Sequence, residues 1–367
     1  MRRTKNLSVM VIVVTMLVTI FVPFLGNHTV NAAVGDIFTV APFSYTVTGA
    51  DTVSLTGNQS TGNITIPDTV SYNGVNYRVT TMAPGLFKSN TMLKSVVIGK
   101  NIESIPNEAF ELCSALTSVT FASGSALRSV GQSAFKECSA LTTCVLPNTV
   151  TYIGGYAFHG CTVLSNFRFP TGLQEFGTLP DGTAYTFTDC NGLTSLDMSA
   201  LTHITVIPPC TFYQCYNVVN VSFPPNLETI GAQAFYRTGY KNRTVATWNI
   251  PASVSTIGNQ GLTANCSNAK NLTIKFHSYT APSVGTGLFD RYMYVQYPSN
   301  GQGYSSWNFT TAGFAAGDYS VPAASSPVYC HVICSGVLLN VNNPLGPAIV
   351  STSSDAVTVF VPSPKLT

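Results

Sequence analysis

The stretch "IPNEAFELCSALTSVTF" at 105–121 is followed at 130–146 by "VGQSAFKECSALTTCVL", which nearly repeats it. With the aromatic of each Ala-Phe-like pair taken as a mark, the phrase recurs at Phe87, Phe110, Phe135, Phe158, Phe187, Phe212 and Phe235, then in degenerate form at Leu262 and Phe289, in steps of 23 to 29 residues. Six positions after the first six marks comes an aliphatic residue: Leu93, Leu116, Leu141, Leu164, Leu193 and Val218. An i, i+3, i+5 apolar pattern follows, as in Leu116, Val119 and Phe121, and the alternation of its last two positions is that of a short strand with one face inward. Next comes a turn, often with proline (Pro147, Pro170, Pro224, Pro251), then an apolar pair three apart and a glycine, as in Val150, Ile153, Gly154.

A unit of about 23 residues cannot bury its apolar face alone, but stacked copies share a continuous core. The expected fold is a β-rich repeat solenoid with one short parallel strand per repeat, capped at both ends. The pattern, roughly L-T-S-V-x-F-P-x-x-V-x-x-I-G-x-x-A-F-x-x-C-x-x, resembles the BspA-type leucine-rich repeat family, strongly over 81–276 and more loosely at 34–80 and 277–310. That resemblance implies a curved solenoid with a parallel sheet on one face, on a secreted or surface-attached protein, and in some members adhesion to host matrix proteins or other cells.

The flanks fit caps, which exposed terminal repeats need. Residues 33–80 read as an amino-terminal cap and divergent first repeat with a hairpin turn at Asn73-Gly74, and 277–310 as a closing repeat and cap rich in aromatics (Tyr292, Tyr294, Tyr297, Tyr304, Trp307). Beyond 311 the chain is either a flexible tail or a small β module. At the other end, Arg2, Arg3 and Lys5 precede an apolar run from Leu7 to Leu25, so 1–32 reads as a secretory signal peptide, or, uncleaved, as an anchor. A membrane is expected only through that segment.

Of the whole chain 9% is charged and 45% hydrophobic. Removing 1–32 takes away three basic residues and no acidic one, so 17 − 3 = 14 Lys+Arg stand against 15 Asp+Glu. That balance leaves no basic footprint for nucleic acid.

Ten cysteines in a secreted chain suggest disulfides, but Cys113, Cys138, Cys161, Cys190 and Cys215 each lie three after a mark, where the first copy has Asn90. In leucine-rich repeats an Asn or Cys ladder occupies this turn, where a small side chain packs or bonds to neighbouring backbone. The ladder therefore reads as packing. Rungs about 4.8 Å apart would also admit bridges between adjacent repeats. Cys144, Cys210, Cys266, Cys330 and Cys334 fall off the ladder; Cys330-His331-x-x-Cys334 lacks a second ligand pair for zinc and reads as a local disulfide or two free thiols.

No metal site, cofactor or catalytic residue is expected. His28, His159, His203, His277 and His331 are scattered, no H-E-x-x-H, G-x-S-x-G or phosphate loop occurs, and Glu108, Glu111, Glu137, Glu175 and Glu228 read as solvated residues of repeat turns. The expected function is non-catalytic binding of an extracellular protein or glycan. Strand alternation places Ser95, Val97, Ser118, Thr120, Thr143, Val145, Asn166, Arg168, Ser195, Asp197, Asn220, Ser222, Thr247 and Asn249 outward on the sheet side, mostly small hydroxylated residues that also simply suit an exposed strand. A second candidate is the insertion "YRTGYKNRT" at 236–244, which brings Arg237, Lys241 and Arg243. The alternatives are a self-associating surface-layer component, the non-catalytic part of a secreted hydrolase, for which 311–367 is short, and a degenerate copy with no ligand.

Overall fold

Apolar residues spaced to point one way from a strand and from a turn force each copy to lie on the last. The computed structural model describes residues 32–239 and 246–262, together with the strands at 272–276, 283–284, 294–298 and 331–335; the 1–31 segment, Lys241, Arg243, Cys266, Cys330 and most of the tail lie outside the described residues. Among the described residues every regular element is a strand.

The chain begins with β1 (Ile37–Val40), β2 (Phe43–Val47), β3 (Thr52–Asn58), β4 (Gly62–Thr65), β5 (Thr69–Tyr72) and β6 (Val75–Met82). Five of these form a sheet in the order β1-β2-β3-β6-β5. β5 and β6 are an antiparallel hairpin across Asn73 and Gly74, whose φ values of 51° and 79° are those a two-residue primed turn requires. In β2, Phe43, Tyr45 and Val47 are buried, and Phe38 stacks on Tyr72 with ring centroids 4.2 Å apart, tying β1 to β5.

β4 leaves this sheet and pairs in parallel with the first repeat strand. The repeats then supply β7 (Leu93–Ile98), β8 (Ser104–Ile105), β9 (Ser118–Phe121), β10 (Ser129–Val130), β11 (Thr143–Val145), β12 (Tyr152–Ile153), β13 (Asn166–Arg168) and β14 (Glu175–Phe176). After them come β15 (Ser195–Asp197), β16 (Val206–Ile207), β17 (Asn220–Ser222), β18 (Thr229–Ile230), β19 (Ala246–Ile250), β20 (Thr256–Ile257), β21 (Leu272–Phe276), β22 (Ser283–Val284), β23 (Tyr294–Pro298) and β24 (His331–Ser335). Each coil carries the expected strand and also a second one of two residues, where the apolar pair and glycine of the return segment lie. The pairings between coils are parallel and nearly all in register, for example Ser129 with Ser104 and Tyr152. The glycine after this second strand is required by proximity: a Cβ on Gly154 would lie 2.7 Å from the Gln132 nitrogen, and one on Gly231 2.3 Å from that of Pro209.

The mark residues form a third hydrogen-bonded face. Residues two before and two after each mark hold positive φ, among them Glu108 (59°), Leu112 (63°), Ser133 (55°) and Glu137 (59°). Such values are costly for residues with a Cβ. They turn the amides of alternate residues along the solenoid: Glu108, Phe110 and Leu112 donate to the carbonyls of Gln132, Ala134 and Lys136, and Ser133, Phe135 and Glu137 to those of Gly155, Ala157 and His159, at 2.7–2.9 Å. Each coil donates forward to the next.

Inside this face the phenylalanines form one stack, Phe87-Phe110-Phe135-Phe158-Phe187-Phe212-Phe235, with neighbouring centroids 5.0–5.5 Å apart. Beside it runs the ladder. The thiols of Cys113, Cys138, Cys161, Cys190 and Cys215 donate to the carbonyls of Phe87, Phe110, Phe135, Phe158 and Phe187 at 3.0–3.1 Å. Asn90 does the same to Ser60 at one end and Thr238 to Phe212 at the other. All five ladder cysteines are free and buried, so packing with a weak hydrogen bond, rather than bridging, is their role. Cys144 replaces a valine of the strand core and Cys210 lies two before a mark; both are also free and buried.

Both sheets break at one place. One ends at β13 and the next begins at β15, and β14 and β16 are likewise unpaired with each other. The coil running from Phe158 to Phe187 contains extra residues after β14, which form a turn in which Leu179 donates to Thr183 at 2.7 Å and Gly182 to Leu179 at 2.9 Å.

Candidate functional site

The longer strands place their middle residue in the core and its neighbours outward. Val119, Cys144, Leu196 and Val221 are buried, whereas Thr120, Val145, Asn166, Arg168, Ser195, Asp197, Asn220, Ser222 and Asn249 are exposed and Ser95, Ser118 and Thr143 half-buried. Register aligns Asn63, Ser95, Ser118, Thr143 and Asn166 in one file across five strands. The Ser95 hydroxyl donates to the Asn63 side chain at 2.9 Å. After the break a second file holds Ser195 with Asn220, and Asp197 with Ser222 and Asn249. The candidate residues thus lie on two sheets: Ser118, Thr120, Thr143, Asn166 and Arg168 on one, Ser195, Asp197, Asn220 and Ser222 on the other. The side chain of Thr247 lies outside the described residues.

Arg237 is elsewhere. It sits two after the mark Phe235 with φ 55°, on the mark-turn face, its guanidinium over the Tyr236 ring at 5.5 Å. Thr238, assigned to the same loop, is buried and completes the ladder, and Gly239 donates to Cys215, so both belong to the coil. Lys241 and Arg243 lie outside the described residues, as do the side chains of Tyr294, Tyr297, His331 and Cys334.

Titratable groups gather on the mark turns. Lys88 bonds Glu108 and Glu111, both at 2.7 Å, and Lys136 reaches Glu111 at 3.3 Å. These carboxylates push Lys88 up to about 12. Glu111 is not the solvated residue expected of a repeat turn: it is buried, and although burial alone would raise its pKa, the two lysines hold it below the ordinary 4.5. His159 lies 3.4 Å from Glu137, and burial keeps its pKa below 6.5 despite that neighbour. Asp189, close by, is raised by the same cause. Burial also lifts the ladder thiols, Cys113 to about 11 and Cys138, Cys161 and Cys190 well above 9.0, so they are poor nucleophiles at neutral pH. Among the described residues no group of three His, Cys, Asp or Glu side chains could hold a metal ion.

One surface feature was invisible in the repeat alignment. Tyr156 stacks on Tyr185 at 5.2 Å and Tyr213 on Tyr236 at 5.0 Å, with Tyr185 and Tyr213 edge to face at 6.2 Å, and Lys136 lies 5.5 Å over Tyr156. The first two tyrosines precede their marks by two and the last two follow theirs by one, so no single repeat position reveals the row.

Stacked parallel coils with a phenylalanine stack and an Asn/Cys/Thr ladder agree with the family model described as "BspA type Leucine rich repeat region", which matches in six copies over residues 80–180 and 181–294. The chain belongs to the BspA-type leucine-rich repeat family. Among solved structures it is similar to a leucine-rich repeat protein from Bacteroides ovatus ATCC 8483, at 21% identity and a TM-score of 0.51 over 71% of this chain and 72% of that one. A leucine rich cell surface protein from Faecalibacterium prausnitzii A2-165 matches at 20% identity and a TM-score of 0.46 over 72% and 70%. The leucine rich repeat protein of T. pallidum matches at 24% and 0.47 over 54% and 88%. No curated protein matches. At these identities the likeness to the Bacteroides ovatus protein speaks to the fold of this BspA-type chain alone.

Proposed function

We propose that this BspA-type protein is a non-catalytic binding protein of the cell surface or the extracellular space, which holds a protein or glycan partner against the outward strand face. The observation that carries this is the file of aligned, outward polar side chains running across each sheet, from Asn63 to Asn166 on one and from Asp197 through Ser222 to Asn249 on the other. Parallel solenoid sheets offer extended surfaces of this kind, whose side chains vary without disturbing the core. The depressed reactivity of the buried thiols and the pairing of Lys88 and Lys136 with carboxylates support a structural rather than catalytic use of those groups.

The test is capture by the immobilised protein of extracellular-matrix proteins, mucins or whole bacterial cells. Saturable binding of one class, weakened about tenfold or more in an Asn166→Ala, Arg168→Ala double variant, is expected if this surface supplies contacts of ordinary hot-spot strength. Capture of nothing but the protein itself would sink the reading in favour of a self-associating surface component.

A further inference from the structure

The break between β13 and β15 interrupts two of the three hydrogen-bonded faces and spares the third. On the mark-turn face Tyr156, Phe158 and Gly160 donate to Ala184, Thr186 and Thr188 at 2.8–2.9 Å, and the Cys190 thiol reaches the Phe158 carbonyl at 3.1 Å. The backbones still touch at Gly192, where an added Cβ would lie 2.4 Å from the Val163 carbonyl carbon. From there the coils part, and neither strand pair is joined again until Ala184 donates to Pro209 at 2.8 Å.

Beside the break the core is crowded with rings. Where other coils place Val119 or Cys144, this one has Phe167, and where they place Val130 or Ile153 it has Phe176, while Phe169 keeps the position of Phe121 and Phe223. The rings of Phe167, Phe169 and Phe176 meet Phe187 edge to face at 4.9, 5.6 and 6.4 Å, and Phe169 and Phe176 reach Phe212 at 6.0 and 6.1 Å. Edge-to-face rings need more room than the roughly 4.8 Å between paired strands. Phe167, at a position buried in the other coils, is only half-buried here, so part of its ring meets solvent. Packed coils hinge where few bonds cross and rotate about those that remain.

We propose that the solenoid flexes at this break: the coils before β14 and those after β15 move as two bodies about the Phe158–Phe187 ladder contact, widening and narrowing the gap between Asn166–Arg168 and Ser195–Asp197. The two halves of the strand face therefore present themselves to a partner at a variable angle.

The test is the distance distribution between paired nitroxide labels. Thr143→Cys with Asn220→Cys spans the break by three strand steps, and Ser95→Cys with Asn166→Cys spans three steps within one sheet. Cys266, Cys330 and Cys334 are replaced by serine, and the seven buried thiols stay unlabelled. The cross-break distribution should be about twofold broader than the other, and Phe167→Val with Phe169→Leu should narrow it, since the wedge is then smaller. Equal widths for the two pairs, whether both narrow or both broad, would overturn the proposal. The comparison of the two pairs does not depend on the folding of the phenylalanine variant.

Discussion

Replacing Phe135 by alanine probes the stack on which the mark-turn face depends. Phe135 is fully buried, with Phe110 nearly parallel at 5.3 Å on one side and Phe158 at 5.3 Å on the other. A buried phenylalanine cut to alanine loses its transfer free energy and leaves a cavity, about 3–5 kcal/mol together. Each ring pair adds about 0.5–1.5 kcal/mol beyond the buried area. Phe87, equally buried but stacked on one phenylalanine only, is the matched control. Urea unfolding followed by circular dichroism should show Phe135→Ala losing about 3–5 kcal/mol, and more than Phe87→Ala by about the worth of one ring pair. A loss below about 1 kcal/mol for Phe135→Ala, with unchanged slope against urea, is the range of surface substitutions and would refute the stack as a core.

Native protein at pH 8 should expose to a disulfide reagent at most 10 − 7 = 3 thiols, with the seven buried ones reacting only in denaturant; fast labelling of more would contradict the buried ladder. Gly154→Ala should cost about 2–3 kcal/mol by thermal or urea unfolding, because its Cβ meets the backbone nitrogen of Gln132, whereas Gly124→Ala, with open space but φ 72°, should cost less. Burial holds His159 below 6.5, so the unfolded chain binds its proton more readily. Stability should therefore fall as pH drops from 7 through 6.5, and His159→Gln should flatten that slope. Glu111, held low by its lysines, extends the loss at lower pH, while Asp189, raised by burial, opposes it.

The solenoid was legible because its determinants are local and repeated. The spacing from Phe110 to Leu116 to Val119 specifies a turn, a rung and an inward strand residue without knowledge of the neighbours, and the equivalence of Asn90 with the cysteines pointed to packing. The second strand was harder, because two residues such as Ser129 and Val130 become a strand only by pairing with the coils on either side. Division of the strand face was not legible either: Phe167 fits the apolar pattern as well as Val119 does, and the break appears only in the pairing of one coil with the next. Arg237 lies within the stretch whose length departs from the repeat, yet Thr238, three after Phe235, takes the ladder position and keeps Arg237 on the mark turn. The tyrosine row depends on side chains from two different repeat positions converging on one surface, which one-dimensional spacing does not record.

The forward donation of alternate mark-turn amides gives the solenoid a sense, as a row of arrows has. Carbonyls from Asn107 to Gly261 are answered from the coil before, amides from Gly85 to Phe235 from the coil after. Such a row begins on acceptors and finishes on donors, so its two termini are chemically unlike. A closing segment that satisfies one end cannot serve at the other, and two of these molecules can extend each other's row only head to tail, never head to head.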